Sequence, residues 1–327
     1  MKAIRLAQTC LVACLATLVL ASPDAVGGDA TPGLRIATGQ GVPHMVGLGM
    51  ESVFNRFGPG LKAESADYPD EGEIVHLVRQ RKAELGIVPI PEIQRALPSP
   101  KEREDSGLRF VMGGHAAIVL HVFLSADAAV LPGMSLASLR GKRVAVPEPG
   151  TPGEALVDAV LRAHALSRTE IQARPMGVQE QVRALREGKV DAALMVVPVA
   201  SPVVPSPGPT RLMETRRARL IGLDPAAIEK VLASDPAFSR HLIEAGTYPG
   251  LDASVLTVAR KNAVITHQDV GDELIYGFVR TILENPHEFQ KVCPLGMEYN
   301  LKNVLPGTSL LPLHPGAERY LREKGIL

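Results

Sequence analysis

The chain has no tryptophan, and its five tyrosines and seven phenylalanines leave it poor in the flat rings a sugar-binding platform needs. It has no net charge, with 35 lysines and arginines against 35 aspartates and glutamates, so nothing in its overall field draws it to nucleic acid or an anionic membrane. Cysteine is nearly absent. Of the three present, Cys10 and Cys14 lie in an apolar leader, which leaves Cys293 alone in the body and allows no intrachain disulfide. Beside Pro294, that thiol reads as a packing residue rather than a nucleophile. There is no His-x-x-x-His, Glu-x-x-His or paired-cysteine spacing for a metal, no Gly-x-Ser-x-Gly elbow and no Walker-type phosphate loop. These absences argue against an enzyme and imply no cofactor.

What is present is a pattern that occurs twice. LRIATGQGVPHMVGLGM, from Leu34, leads to RQRKAELGIVPIP, ending at Pro91. KRVAVPEPGTPGEALVDAVL, from Lys142, leads to QVRALREGKVDAALMVVPV, ending at Val199. Arg35 aligns with Arg143, Lys82 with Lys189 and Glu84 with Asp191, in frames that agree within one residue. Each unit reads as strand, Gly/Pro loop, helix, strand, helix and strand, which predicts parallel sheets with right-handed crossovers. Two such units predict two lobes facing across a cleft; the alternative is one larger sheet with a coincidental echo.

Met1 to Ala21, with a basic start and a short apolar run, reads as an export signal cut after Ala21, and Leu11-Val12-Ala13-Cys14 offers a lipid anchor at Cys14 as the alternative. Residues 22–33 read as a polar tether. Further along, Pro98 to Gly107 reads as a charged surface loop. Leu108 to Val111 and Val119 to Leu124 read as separate strands around Gly113-Gly114-His115, and Thr151 to Glu154 as a capping box. The proline run after Val199 reads as loop, Leu251 to Ala259 as strand, a long helix starts at Thr266, and a last helix spans Ala317 to Lys324.

The tail GTYPGLDASVLTVARKNAVIT through PLHPGAERYLREKGIL resembles the TAXI family, the extracytoplasmic solute-binding subunits of tripartite TRAP transporters. IATGQG, RQRKAELGIV, LRGKRVAVPEPGTPG and LREGKVDAAL are similar to that family's corresponding segments. The resemblance implies a periplasmic, monomeric α/β protein of the two-lobed type II periplasmic binding fold, each lobe a mostly parallel sheet flanked by helices. Lobe 1 would be residues 34–125 with 255–327, lobe 2 residues 126–254, and a small carboxylate would be captured in the cleft by hinge closure for TRAP membrane subunits. A sensor subunit reporting the same solute to a membrane signalling partner is the alternative. Departures fall in the loops expected to touch ligand. His44 and Met45 replace a tyrosine pair, His115 replaces another tyrosine, Ile90-Pro91 replaces a polar pair, and Gly150-Thr151-Pro152-Gly153 replaces a Gly/Ser/Thr loop.

The residues expected around the ligand are Gly39, Gln40, Gly41, His44, Pro89, His115, Thr151, Gly153 and Met195. Glycines admit a ligand close to the backbone, helix N-termini offer N–H groups to a carboxylate, and His44 or His115 would serve as donor. Val42, Pro43, Met45, Ile90, Met195 and Val197 would give an apolar wall, hence a ligand more apolar than glutamate.

Overall fold

The computed structural model describes residues 33–126, 136–198, 205–305 and 310–327. The first unit folds as β1 (Leu34–Gly39), α1 (Val42–Phe57), β2 (Ala63–Tyr68), α2 (Glu71–Arg79) and β3 (Leu85–Pro89), with β2 and β3 both parallel to β1. After α3 (Ile90–Ala96), α4 (Pro100–Asp105) and the long strand β4 (Leu108–Ser125), the plan repeats. It runs through β5 (Arg143–Val146), α5 (Pro152–Ala163), β6 (Gln172–Pro175), α6 (Val178–Arg186) and β7 (Ala192–Val197). Here β6 and β7 flank β5 in parallel, as β2 and β3 flank β1. The chain then passes through α7 (Pro207–Thr215), β8 (Ala218–Ile221), α8 (Pro225–Ser234), β9 (Phe238–Ile243) and the second long strand β10 (Val255–His267). It ends in α9 (Asp272–Glu284), α10 (Pro286–Val292) and α11 (Pro315–Glu323).

The aligned charges found in the sequence make the same clamp in both units. Arg35 donates from its backbone N, Nε and Nη2 to the Glu84 carboxylate at 2.7, 3.0 and 2.6 Å. Arg143 does the same to Asp191 at 2.9, 3.2 and 2.7 Å. Each clamp ties the first residues of a unit's central strand to the turn that starts its third strand, so the echo is structural. Hydrogen bonds from Arg143 hold the Asp191 carboxyl below its usual range. Burial works to raise that of Glu84, but the bonds from Arg35 outweigh it. Each clamp's contribution is therefore full above the ordinary carboxylate range and is lost as pH falls below it. The arginine side chains are 52% and 39% exposed, so solvent screens each clamp and keeps its contribution small. Arg35→Met and Arg143→Met should each lower the urea midpoint by a similar amount, and the double variant by the sum. A variant that loses nothing would show that its clamp does not hold the unit.

The ten strands among the described residues pair into one mixed sheet in the order β2-β1-β3-β10-β4-β7-β5-β6, with β8 on β4 and β9 on β10. Among the described strands, only β4 and β10 take part in both halves. Asn262 to Thr266 of β10 pair with β3, whereas Val255 to Arg260 pair with β9. Val119 to Leu124 of β4 pair with β7. Between these stretches the β4–β10 register slips at Arg260/Lys261 and again between Lys261 and Ala263, irregularities that bend and twist strands. The first half packs one core under α1, α9 and α11 (Val46, Met50, Phe54, Phe278, Tyr320) and another under α2 and α3 (Ile74, Val78, Ile93). The second half packs its own under α5 and α8 (Leu156, Val160, Ile228) and under α6 and α7 (Val182, Leu185, Leu212).

Several local expectations change. The stretch read as two strands around Gly113-Gly114-His115 is one strand, because pairing with β10 carries through the glycines. The loop at Pro98–Gly107 contains α4, whose Ser99 and Glu102 form the capping box. The box expected at Thr151 is not made: Thr151 Oγ1 donates to Glu148 O at 2.7 Å, and Glu154 Oε2 accepts from Gly150 N at 2.8 Å. Pro207 and Pro209 sit in the first turn of α7, where a missing N–H costs nothing. Thr266 and His267 belong to β10 and the helix begins at Asp272, since their backbone pairs with β4. The expected signal, the Cys14 anchor and the tether up to Pro32 lie outside the described residues.

Candidate functional site

Strand register places the site. Asn262 pairs with Pro89 at the carboxyl end of β3, and Val119 pairs with Val197 at the carboxyl end of β7. The parallel strands of each half therefore run toward the crossing of β4 and β10, between residues 113–119 and 259–263. In open α/β sheets the strand carboxyl ends are where ligands sit, because the following helices turn their unpaired N–H groups there.

From the first half come Gly39, the exposed Gln40 and Gly41, and α1. Gly41 has φ 72° and ψ −119°, a conformation that suits glycine, and α1 has no side-chain cap. A Cβ on Gly39 would overlap the Glu71 carboxylate. His44 is half-buried and its Nδ1 lies 3.2 Å from Thr38 Oγ1. The surroundings are acidic: burial, then the charges of Glu92 and Asp70, push the Glu71 carboxyl up. Asp70, Gly72, Glu73, His76, Glu92, Arg95 and Ala96 line a depression of about 490 Å³ beside it. From the second half comes α5, again without a side-chain cap. Gly153 is buried where a Cβ would stand 2.9 Å from Val196 Cβ, so it serves the packing of α5 on β7. Arg260 reaches this helix end, with Nη1 3.2 Å from Pro152 O and its guanidinium 5.3 Å over the Phe238 ring. Gln94 Nε2 donates to Asp235 Oδ1 at 3.0 Å, joining α3 to the segment before β9.

The crossing itself carries a buried polar chain. Asn262 Nδ2 donates to His115 Nε2 at 2.7 Å, and His115 Nδ1 lies 2.9 Å from Tyr299 Oη. Gly114 makes room for the Tyr299 hydroxyl, which would stand 2.9 Å from a Cβ there. Burial, then the charge of Lys261, pushes the His115 imidazole down to about 3. With both nitrogens engaged, the ring holds Asn262 in place. Met195 and Val197 are buried in the core with Val182 and Leu212, and Ile90 in the core with Ile74 and Ile93, whereas Val42, Pro43 and Met45 are half-buried. Pro89 and Thr151 are half-buried at their strand and helix ends.

The structure thus brings Gly39, Gln40, Gly41, His44 and Pro89 to one end of the first half, Thr151 and Gly153 to one end of the second, and His115 between. Missed in the sequence were Arg260, Lys261, Asn262 and Tyr299. The signal available was the polar triplet Arg-Lys-Asn inside the apolar strand TVARKNAVIT. Among the described residues no group of three or more His, Cys, Asp or Glu could hold a metal ion, and no helix is long and apolar enough to cross a membrane.

The NMT1-like family model matches residues 61–325. Among solved structures, the periplasmic aliphatic sulphonate binding protein SsuA of Escherichia coli is 15% identical over 89% of this chain and 87% of its own, with a TM-score of 0.43. The periplasmic sulfonate-binding protein SsuA of Methylobacillus flagellatus KT is 10% identical over 90% and 94%, at 0.49. The ligand binding component of an ABC-type import system from Staphylococcus aureus is 10% identical over 90% and 92%, at 0.42. At these identities none of them assigns a ligand here.

Proposed function

The chain belongs to the NMT1-like family, and from that premise we propose that it is an extracytoplasmic solute-binding protein, not an enzyme, that encloses a small carboxylate and hands it to membrane transport subunits. The observation that carries this reading is the convergence of two repeated strand-and-helix units on one pair of crossing strands. The lobes are residues 34–125 with 255–327, and 126–254. The pivot lies where β4 and β10 change partners, around 113–119 and 260–262. Slipped pairing there leaves fewer ladder bonds to resist bending.

Charge orients the ligand. Asp70, Glu71 and Glu92 repel an anion from the first half's strand ends, whereas Arg260, Lys261 and the N-terminus of α5 attract one. The carboxylate therefore faces β10 and α5, and the apolar body lies along Val42 and Met45. We assign the membrane partner to the tripartite TRAP type, on the resemblance of the tail. The three solved proteins named above include components of ABC import, so reconstitution with either class of membrane subunit separates the two. Closure predicts that a thermal-shift hit from a panel of monocarboxylates will reduce the radius of gyration measured by solution scattering at saturation. A radius that stays the same with ligand bound would mean a rigid site and sink the closure mechanism.

A further inference from the structure

We infer that Lys261 and Asn262 determine ligand specificity: Lys261 meets an anionic oxygen and Asn262 Oδ1 meets a hydrogen-bond donor on the same molecule, so the ligand is a small acid that also bears an amino or hydroxyl group. The inference deepens the solute-binding reading and rests on it.

Both side chains are buried, each 1% exposed, at the point where the strand ends of the two halves converge. Lysine is almost never buried to this degree unless paired. Among the described residues Lys261 makes no ion pair and no side-chain hydrogen bond; the nearest opposing influence is the charge of Glu298. Asn262 is fixed because its Nδ2 donates to His115 Nε2. With that nitrogen accepting, the His115 proton is on Nδ1, directed at Tyr299 Oη. In this arrangement the amide Oδ1 is left buried with no partner. The preceding residue, Arg260, also has a buried Nε with no partner. The other buried atoms without partners, such as Ser65 Oγ, Ser138 Oγ and Thr247 Oγ1, occur singly along the chain. Proteins rarely leave such groups unpaired, and two unpartnered atoms on Arg260 and Asn262, flanking a buried lysine where the strand ends of the repeated units converge, mark a place completed by ligand. His115 joins the pair, since it is bonded to Asn262 and close enough to Lys261 to feel its charge.

The test uses the full-length protein and four probes of one shape: 4-methylpentanoate, 2-hydroxy-4-methylpentanoate, leucine and leucinamide. Thermal shift and equilibrium dialysis should show the parent binding the hydroxy or amino acid more tightly than 4-methylpentanoate, and leucinamide, which lacks the acid, not at all. Lys261→Met should weaken the tightest probe by on the order of 100-fold, with a ligand-free melting point equal to or above that of the parent, because it removes a buried amine that makes no ion pair among the described residues. Asn262→Leu should weaken the hydroxy and amino acids about tenfold and leave 4-methylpentanoate unchanged. A Lys261→Met protein that binds like the parent, melts lower or fails to fold overturns the inference, the last two because the lysine would then be part of the structure. An Asn262→Leu protein that still prefers the hydroxy or amino acid overturns the role of the amide. If the parent binds none of the four, the carboxylate-binding reading falls with it; if it binds them and the variants do not discriminate, only this inference falls.

Discussion

Acidification should cost the protein stability from about pH 6.5 downward, at up to about 1.4 kcal/mol per pH unit for each of two buried histidines. His115 and His121 are 1% and 0% exposed, and burial pushes both imidazoles down to about 3. The folded protein therefore keeps both rings neutral while the unfolded chain takes up a proton on each below its ordinary pKa. With more protons bound in the unfolded state, stability is full above about 6.5 and is lost as pH falls toward 3. Burial moves His314 in the same direction. Burial holds both rings neutral: His115 lies between Asn262 and Tyr299, and His121 has Nε2 2.8 Å from Tyr248 Oη and Nδ1 3.3 Å from Val119 O, a carbonyl whose pull toward protonation burial outweighs. Urea midpoints measured at a series of pH values should fall steeply through a range in which most carboxylates remain ionised. His121→Gln, which keeps a polar partner for Tyr248, should remove about half of that slope. A midpoint flat between about pH 7 and 5 would mean that these rings do not stay neutral in the fold.

Gly316→Ala should be strongly destabilising, although alanine in a helix normally stabilises relative to glycine by up to about 1 kcal/mol. Gly316 lies in the first turn of α11, whose N-cap His314 accepts from Gly316 N at 3.2 Å and reaches Val270 O at 2.9 Å. A Cβ there would overlap the backbone oxygen of Asp272 and stand 2.9 Å from Tyr276 N, so the obstacle is the backbone of α9 rather than a movable side chain. The two helices would have to separate, at a cost of about 1–3 kcal/mol, or a fall of roughly 2–4 °C in melting point for each kcal/mol. Gly271→Ser is the contrast: this N-cap of α9 has open space around it and φ −62°, so serine should be neutral or slightly stabilising. A Gly316→Ala protein that melts at or above the parent would show that α11 is not seated on α9 as described.

This glycine also explains part of what was readable in the sequence. PLHPGAERYL belongs to the tail that carries the resemblance, and its second proline, histidine and glycine are the start of α11, its cap and its point of closest approach. The candidate site was legible in proportion to how local its parts were. Gly39, Gln40, Gly41 and His44 follow a strand and open a helix, a pattern visible in a dozen residues. His115 was visible as a polar residue between two apolar stretches, but its role depends on Asn262 and Tyr299, 147 and 184 residues away along the chain. Met195 was read as a wall of the cleft, but alternation in β7 alone does not say which face lies against α6 and α7.

The sequence by itself determined the two repeated units, their strand and helix order, and the equivalence of Arg35–Glu84 with Arg143–Asp191. Hydrophobic period and aligned charges are properties of short segments and survive without knowledge of partners. Only the tertiary structure decided that β4 runs unbroken through Gly113 and Gly114 and that β10 begins at Val255 and carries past Thr266. It also decided that the buried cation and amide at the crossing are Lys261 and Asn262. Those outcomes come from pairing between strands more than a hundred residues apart, where the ladder of a neighbour overrides local propensity, and where burial, not residue type, makes a lysine with no ion pair among the described residues significant.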